Sequence, residues 1–182
     1  MPLFSRKKSV RHHQGLLQSL PSRVWLSTSL IEATPRHLRS FWDDDERHEG
    51  IVYWAGIETE NDWFITTAIR PSADTTWGSY RTSVSSNAEV VLAANGHHLH
   101  VLGQVHSHPD EWVDHSAGDL KGAFMPFEGF LSIVVPYYAS EELKLLDGCG
   151  IHRFEHGRFR RLAGREVDEL IGIVPVEISI NE

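Results

Sequence analysis

The apolar run Val101-Leu-Gly-Gln-Val105 ends in His106-Ser-His-Pro109, and this junction limits what the chain can fold into more than any other stretch. As a strand, the run sends side chains at i and i+2 to the same face. His106 and His108 then leave together, their Cα atoms about 6.5–7 Å apart. Two imidazoles so placed converge on one cation at metal–nitrogen distances near ~2.0–2.1 Å. Pro109 cannot donate to a sheet ladder and closes the strand just past the second histidine. After six intervening residues, Ser116-Ala-Gly-Asp119 reads as a helix start that brings a carboxylate to the pair. Two nitrogens and one oxygen leave a tetrahedral Zn²⁺ one open position for water, which distinguishes a catalytic from a structural site. Taken singly, Ser-x-x-Asp is also the capping box of many helices, and His-x-His also occurs on strands that bind nothing. The whole set in register is harder to explain without a metal.

His106-x-His108-Pro109, six residues, then Ser116-x-x-Asp119 resembles the motif of the JAMM (JAB1/MPN/Mov34) metalloproteases, with every position filled. That family also uses a glutamate at the start of an upstream strand with a glycine seven residues later. Glu49-Gly-Ile-Val-Tyr-Trp-Ala-Gly56 has that spacing. Many members carry a further glycine three residues after the glutamate, where this chain has Val52. The resemblance spans roughly residues 22 to 162. It implies the α/β MPN fold, a curved mixed β-sheet flanked by helices, with the zinc site at the sheet edge. It implies Zn²⁺ held by His106, His108 and Asp119, Glu49 as the general base, and Ser116 donating a hydrogen bond to the oxyanion. The implied substrate is a ubiquitin-like protein or its conjugates, cut after a C-terminal glycine, with conjugation enzymes as possible associates. The Glu49–Trp54 stretch and the compact size look most similar to bacterial JAB proteases of ubiquitin-like conjugation systems, several of them antiphage. Two other readings stand beside this one: a processing protease for a sulfur-carrier or precursor protein, and a non-catalytic MPN scaffold.

Composition narrows the alternatives. The chain is 41% hydrophobic and 23% charged, as in a globular protein with a core of its own. A single cysteine, Cys149, rules out an intramolecular disulfide and any four-cysteine zinc site. No apolar run reaches the length of a membrane span and the N-terminus lacks a signal-peptide core, so a cytoplasmic protein is expected, without a membrane partner. Arg6, Lys7, Lys8 and Arg11 sit in a head without acids, so the rest is more acidic than the net charge of −8 indicates. Such a body is a poor partner for nucleic acid. The expected organisation is a basic mobile N-terminal tail over residues 1–20 and a single domain over 21–182.

Along the chain, Arg23 to Ile31 is rich in β-branched and aromatic residues and reads as a strand. Thr34 followed by Pro35 reads as the start of a helix that stops near Trp42, before the acids of Asp43–Glu46. The run from Glu49 to Ile57 has the continuous apolar character of a strand buried on both faces, and it should form a hairpin with Asp62–Ile69. Residues 71–80 have turn composition and read as a surface loop. Ser86-Asn-Ala-Glu89 reads as a capping box, with Gly96 just past the helix end. Beyond the motif, strands are expected at Gly129–Pro136, Gly150–Phe154 and Arg158–Leu162, with a late one within Ile171–Ile180.

Decoys abound, since the chain has 12 histidines. His98-Leu-His100 would share a face with His106 by parity, but six residues along a strand is about 20 Å, too far for one ion. His115 lies in the motif loop at a position the family leaves variable, and His48 should point away from Glu49. Asp110, Glu111 and Asp114 are nearby acids on a loop. Glu46 and Glu58 are the rivals to Glu49 as base. Ser116 lacks a free histidine–carboxylate pair and is not a nucleophile.

Overall fold

The computed structural model describes residues 20–44, 46–122, 124–140 and 147–175. Residues 1–19, nearly all of the expected basic tail, and residues 176–180 of the expected last strand lie outside them. A mixed eight-stranded sheet, in the order β10-β1-β3-β2-β6-β7-β8-β9, runs through the molecule. Its strands are β1 (Arg23–Ser27), β2 (Ile51–Glu58), β3 (Asp62–Ile69), β6 (His100–Ser107), β7 (Leu131–Val135), β8 (Gly150–Glu155), β9 (Arg158–Arg161) and β10 (Ile171–Val174). β4 (Ala73–Thr76) and β5 (Ser79–Thr82) form a separate hairpin. The helices are α1 (Thr28–Arg39), α2 (Val84–Gly96), α3 (Ala117–Gly122) and α4 (Gly164–Leu170).

β2 is buried on both faces because its side chains feed two cores in strict alternation. Val52 and Trp54 enter a core covered by Leu30 and Leu38 of α1 and Val167 and Leu170 of α4. Ile51, Tyr53 and Ala55 enter a second core with Val90 and Ala94 of α2 and Phe130. Each fully buried aliphatic side chain contributes about 1.5–3 kcal/mol, so two cores on one strand make β2 the spine of the fold. Val52 is fully buried opposite Val105. β2 pairs antiparallel with β3 and with β6, and β6 pairs parallel with β7. The register slips at Ala55/Gly56 against β3 and at Trp54/Ala55 against β6. Gly56 borders the slip against β3, and a Cβ there would lie 2.0 Å from the Phe64 carbonyl oxygen. Only glycine allows that backbone approach.

Several local expectations are corrected. The first helix begins at Thr28, six residues before Thr34, because Ser27 caps it by accepting from the Leu30 N–H at 3.2 Å. Thr34 is spent inside the helix: it donates to the Leu30 carbonyl and accepts from Trp54 Nε1 at 2.9 Å. Pro35 is therefore a mid-helix proline, tolerated where the helix is buried against the sheet. α2 begins at Val84 with Ser83 as its cap, while Ser86 turns inward to donate to the Ser72 carbonyl. It ends in a Schellman motif whose left-handed residue is His98 (φ 58°), not a residue at Gly96. The Leu99 N–H reaches the Ala94 carbonyl and the His98 N–H that of Asn95. His98 is thus outside β6, and the slip near Leu102 breaks parity. Leu102 and Val105, three apart, enter one core, while Val101 enters the other. His100 pairs with Glu58 at 2.8 Å instead of sharing a face with His106. The expected loop 71–80 is the β4–β5 hairpin.

Among the described residues, no helix is long and apolar enough to cross a membrane.

Candidate metal centre

The site lies on the rim formed by strand ends, at the exit of the interior strand β6. Pairing sets His106 between Ile51 of β2 and Val134 of β7. One step on, the Ser107 N–H donates to the Gly50 carbonyl, so the same register brings Glu49 across from His108. His108 is fixed by its backbone, donating to the Val135 carbonyl at 2.9 Å and accepting from the Tyr138 N–H at 2.7 Å. The His106 and His108 Nε2 atoms are 3.2 Å apart. Asp119 closes the triangle, with Oδ1 3.3 Å from His106 Nε2 and Oδ2 3.3 Å from His108 Nε2. Ligands at ~2.0–2.1 Å from a tetrahedral ion are separated by about 3.3–3.4 Å. The three side chains, all buried, thus bring one ligand atom each within 4.8 Å of the others, spacings of the size a zinc ion requires, with the two imidazoles meeting different oxygens of Asp119.

Asp119 arrives through the helix start that the sequence signalled. The Ser116 N–H donates to Asp119 Oδ2 at 2.6 Å, and the Gly118 and Asp119 N–H groups donate to Ser116 Oγ at 3.1 Å each. The capping box and the ligand motif are thus one structure, in which the cap orients the carboxylate and leaves the Ser116 hydroxyl proton free of these bonds. The loop between ligands is pinned from several sides. His108 Nδ1–H donates to the Trp112 carbonyl at 2.8 Å, and the Trp112 ring stacks on the His108 ring. Arg161 pairs with Asp114 at 3.0 Å. His115 is inserted beneath, stacked on His152 at 4.0 Å between ring centroids and 2.9 Å from Ser132 Oγ. Gly150 lets the loop lie directly on β8, since a Cβ there would fall 1.9 Å from the Val113 carbonyl oxygen. Tyr137, Tyr138 and Ala139, all left-handed, fold a tight turn against the loop, with the Tyr137 N–H donating to the Asp110 carbonyl.

Electrostatics pushes the two acids in opposite directions. Burial pushes the Glu49 carboxyl up to about 7, His108 opposes that rise, and Asp119 and Asp110 add to it. Burial also disfavours charge on Asp119, but hydrogen bonds with His106, His108 and Ser116 hold it well below the usual carboxylate range. Burial lowers His106, which keeps the imidazole neutral and its lone pair available. At His108 burial acts in the same direction, yet the Asp119 contact and the Trp112 carbonyl raise it overall. Burial together with His152 and His106 drives His115 down to about 3, so it stays neutral throughout the physiological range. An open cleft of about 770 Å³ faces these groups, lined by Glu49, His108 and Asp119 at its floor and by Trp77, Tyr80 and Trp112 on its walls.

No protein-family model matches the chain. It is similar to the protein named probable metalloprotease y4jG of Sinorhizobium fredii (strain NBRC 101917 / NGR234), at 30% identity over 122 residues, which is 65% of this chain and 74% of that one. The chain belongs to the JAMM metalloprotease family. A solution structure of a Desulfitobacterium hafniense protein aligns over 84% of this chain and 93% of its own, at 16% identity with a TM-score of 0.62, and so shares the fold. A JAB1/MPN domain protein from Archaeoglobus fulgidus aligns over 84% of this chain and 99% of its own, at 15% identity with a TM-score of 0.48. This JAMM chain has the mixed sheet with flanking helices of the MPN fold, and its ligand set is that of a zinc site.

Within this JAMM site the structure gathers His108, Asp119, Ser116 and Glu49 along one cleft, with His106 fully buried against His108 and Asp119. It leaves the decoys elsewhere: Glu58 is held by His100, and His48 Nε2 lies 3.8 Å from Glu46 while its Nδ1 meets Thr75. Asp110 lines the cleft but is engaged with the Trp112 N–H. Sequence reasoning passed over Tyr80, Trp77, Trp112 and the His115–His152 stack. Trp112, inside the motif loop, was a usable signal. The stack carried none, because His152 lies far downstream on β8.

Proposed function

We propose that this metalloprotease is a zinc-dependent isopeptidase or peptidase that cuts after the C-terminal glycine of a ubiquitin-like protein. The observation that carries the reading is the convergence of the His106, His108 and Asp119 ligand atoms, all within 4.8 Å of one another, with Glu49 facing the same cleft. His106, His108 and Asp119 hold the metal. When bound, zinc supplies Lewis acidity, which polarises the scissile carbonyl and makes water nucleophilic near neutral pH. Glu49 takes the proton from the attacking water at its carboxylate and later delivers it to the departing amine. A carboxyl group raised to about 7 is suited to both halves of that transfer. The Ser116 hydroxyl donates to the oxyanion of the tetrahedral intermediate, held in place by the N–H groups that bond its oxygen.

The cleft supports a slim substrate tail. Trp77 and Trp112 rise on its walls, 69% and 47% exposed, above Glu49 and Asp119. An extended chain ending in glycine passes between such walls, where bulky residues next to the cut collide. The setting we propose is a cytoplasmic bacterial ubiquitin-like conjugation pathway, antiphage systems among them.

The test is a cleavage assay on a panel holding isopeptide-linked ubiquitin-like conjugates, a C-terminally extended linear modifier and a sulfur-carrier precursor, with products identified by mass. Cleavage of the conjugates after the terminal glycine, abolished by chelation and restored by zinc, is the expected result. Cutting of the linear precursors alone favours the processing alternative. No cleavage by the zinc-loaded protein in any arm sinks the reading.

A further inference from the structure

His106 and His108 differ on the side turned away from the cleft. His108 Nδ1–H has the Trp112 carbonyl as its acceptor. His106 Nδ1 is buried and, among the described residues, has no hydrogen-bond partner. The Tyr80 hydroxyl is in the same position, buried and unpartnered. The two atoms belong to rings in contact, with centroids 5.2 Å apart. Buried polar atoms are rarely left unmade, and two in adjacent rings call for a common explanation.

Their chemistry is complementary. An imidazole that offers its Nε2 lone pair to a metal carries its proton on Nδ1 and there can only donate. A tyrosine hydroxyl can accept that donation and still donate its own proton. No direct bond joins them, and buried polar groups on neighbouring rings that do not meet directly can be joined by one internal water. Tyr53, whose ring lies in the same core, does not compete, because its hydroxyl already donates to Asn87 at 2.9 Å. Tyr80 comes from β5, outside the ligand motif. Its hairpin is anchored beside the site by the Glu49 N–H donating to the Thr76 carbonyl and by the Tyr138 hydroxyl donating to the Trp77 carbonyl.

We propose that Tyr80 is a positioning residue of the metal centre: its hydroxyl takes up the Nδ1–H of His106 through one internal water and so fixes the tautomer that aims Nε2 at zinc. The hairpin then has two tasks, as a wall of the cleft and as the outer support of one ligand. Outer partners of metal-bound histidines typically contribute 10–100-fold in metal affinity.

The inference rests on the zinc reading of His106, His108 and Asp119, and the experiment separates the two. Zinc affinity of the full chain is measured by competition with a chromophoric chelator for the parent, Tyr80→Phe and Tyr53→Phe. Tyr80→Phe keeps the ring and loses only the hydroxyl, and its affinity should fall 10–100-fold, with Tyr53→Phe staying near the parent. Imidazole N–H signals of the zinc-loaded, ¹⁵N-histidine-labelled protein give a second readout. The parent should show exchange-protected Nδ1–H protons for both His106 and His108, and Tyr80→Phe should lose protection at His106 alone. A general loosening would move both signals. Unchanged zinc affinity in Tyr80→Phe overturns the inference while leaving the zinc site intact, and a parent that takes up no zinc overturns both. Should Tyr80→Phe fail to fold, a His106 Nδ1–H in the parent that exchanges as fast as an exposed imidazole also overturns it.

Discussion

Glu49 and Asp119 are both buried carboxylates facing the same cleft, yet their surroundings push them in opposite directions. That contrast supports the proposed roles of Glu49 as proton carrier and Asp119 as ligand, and substitution tests them. His106→Ala, His108→Ala and Asp119→Ala should each lose stoichiometric zinc together with hydrolysis, read by elemental analysis and a peptidase assay. Glu49→Gln should retain zinc and substrate binding while the rate falls roughly 10²–10⁴-fold. Loss of zinc in Glu49→Gln would make Glu49 a ligand, and a rate within a few-fold of the parent would move the base elsewhere. The pH dependence follows from the same carboxyl. Only ionised Glu49 accepts a proton, so kcat/KM should fall as pH drops through its pKa. Burial sets that value at about 7 in the metal-free site, and a nearby divalent cation favours the ionised form and lowers it. The acid limb should therefore lie between about 4.5 and 7, and it should vanish in Glu49→Gln. A limb above 7 in the zinc enzyme would contradict the assignment.

At the scale of elements, the parts legible in the sequence were those whose pattern is local. The apolar run of β2, the β2–β3 hairpin, the strands β7, β8 and β9, and the capping box at Ser116 all carry their signal within a few residues. The β4–β5 hairpin did not. Ala-Asp-Thr-Thr-Trp-Gly-Ser-Tyr has turn composition, and its strand character comes from its own four-residue pairing plus anchors at Glu49 and Tyr138. The start of α1 was hidden in the same way, since Thr34-Pro35 imitates a helix start while Trp54, distant in sequence, claims the threonine. The candidate site was legible because its five residues sit in two short motifs, whereas the residues that support it, Tyr80 and His152, are assigned only by tertiary contact. The hairpin is also short, which leaves little surface to grip a second modifier beyond the tail itself. Trp77→Ala should raise KM by roughly three- to tenfold with kcat little changed, a loss of about 1 kcal/mol of uniform binding. Across a panel of differently linked dimers the parent should discriminate weakly, and strict preference for one linkage would require further contacts than this cleft offers.

For the molecule as a whole, the metal would join parts that the sheet alone does not. His106 and His108 belong to the end of β6, whereas Asp119 belongs to a six-residue helix beyond a long loop. Zinc should therefore stabilise the folded state by mass action. At a free concentration of 1,000 times its Kd the gain is about 4 kcal/mol, equivalent to roughly 8–16 °C in Tm for a chain of this length. Chelation followed by differential scanning calorimetry reads this directly, and a Tm unmoved by zinc would mean that the loop is held without it. The loop depends equally on what lies beneath. Gly150 opens β8 far downstream of every ligand, and its missing side chain is what lets Val113 settle on the sheet. In a saturation scan scored for activity, position 150 should accordingly show the intolerance of a ligand position. Gly150→Ala should lift the loop, misplace Asp119 and lose zinc although no metal-binding atom has changed. Because the atom in the way is the Val113 carbonyl oxygen, a smaller side chain at position 113 should not rescue that loss, and the intolerance at position 150 should stand whichever residue fills 113.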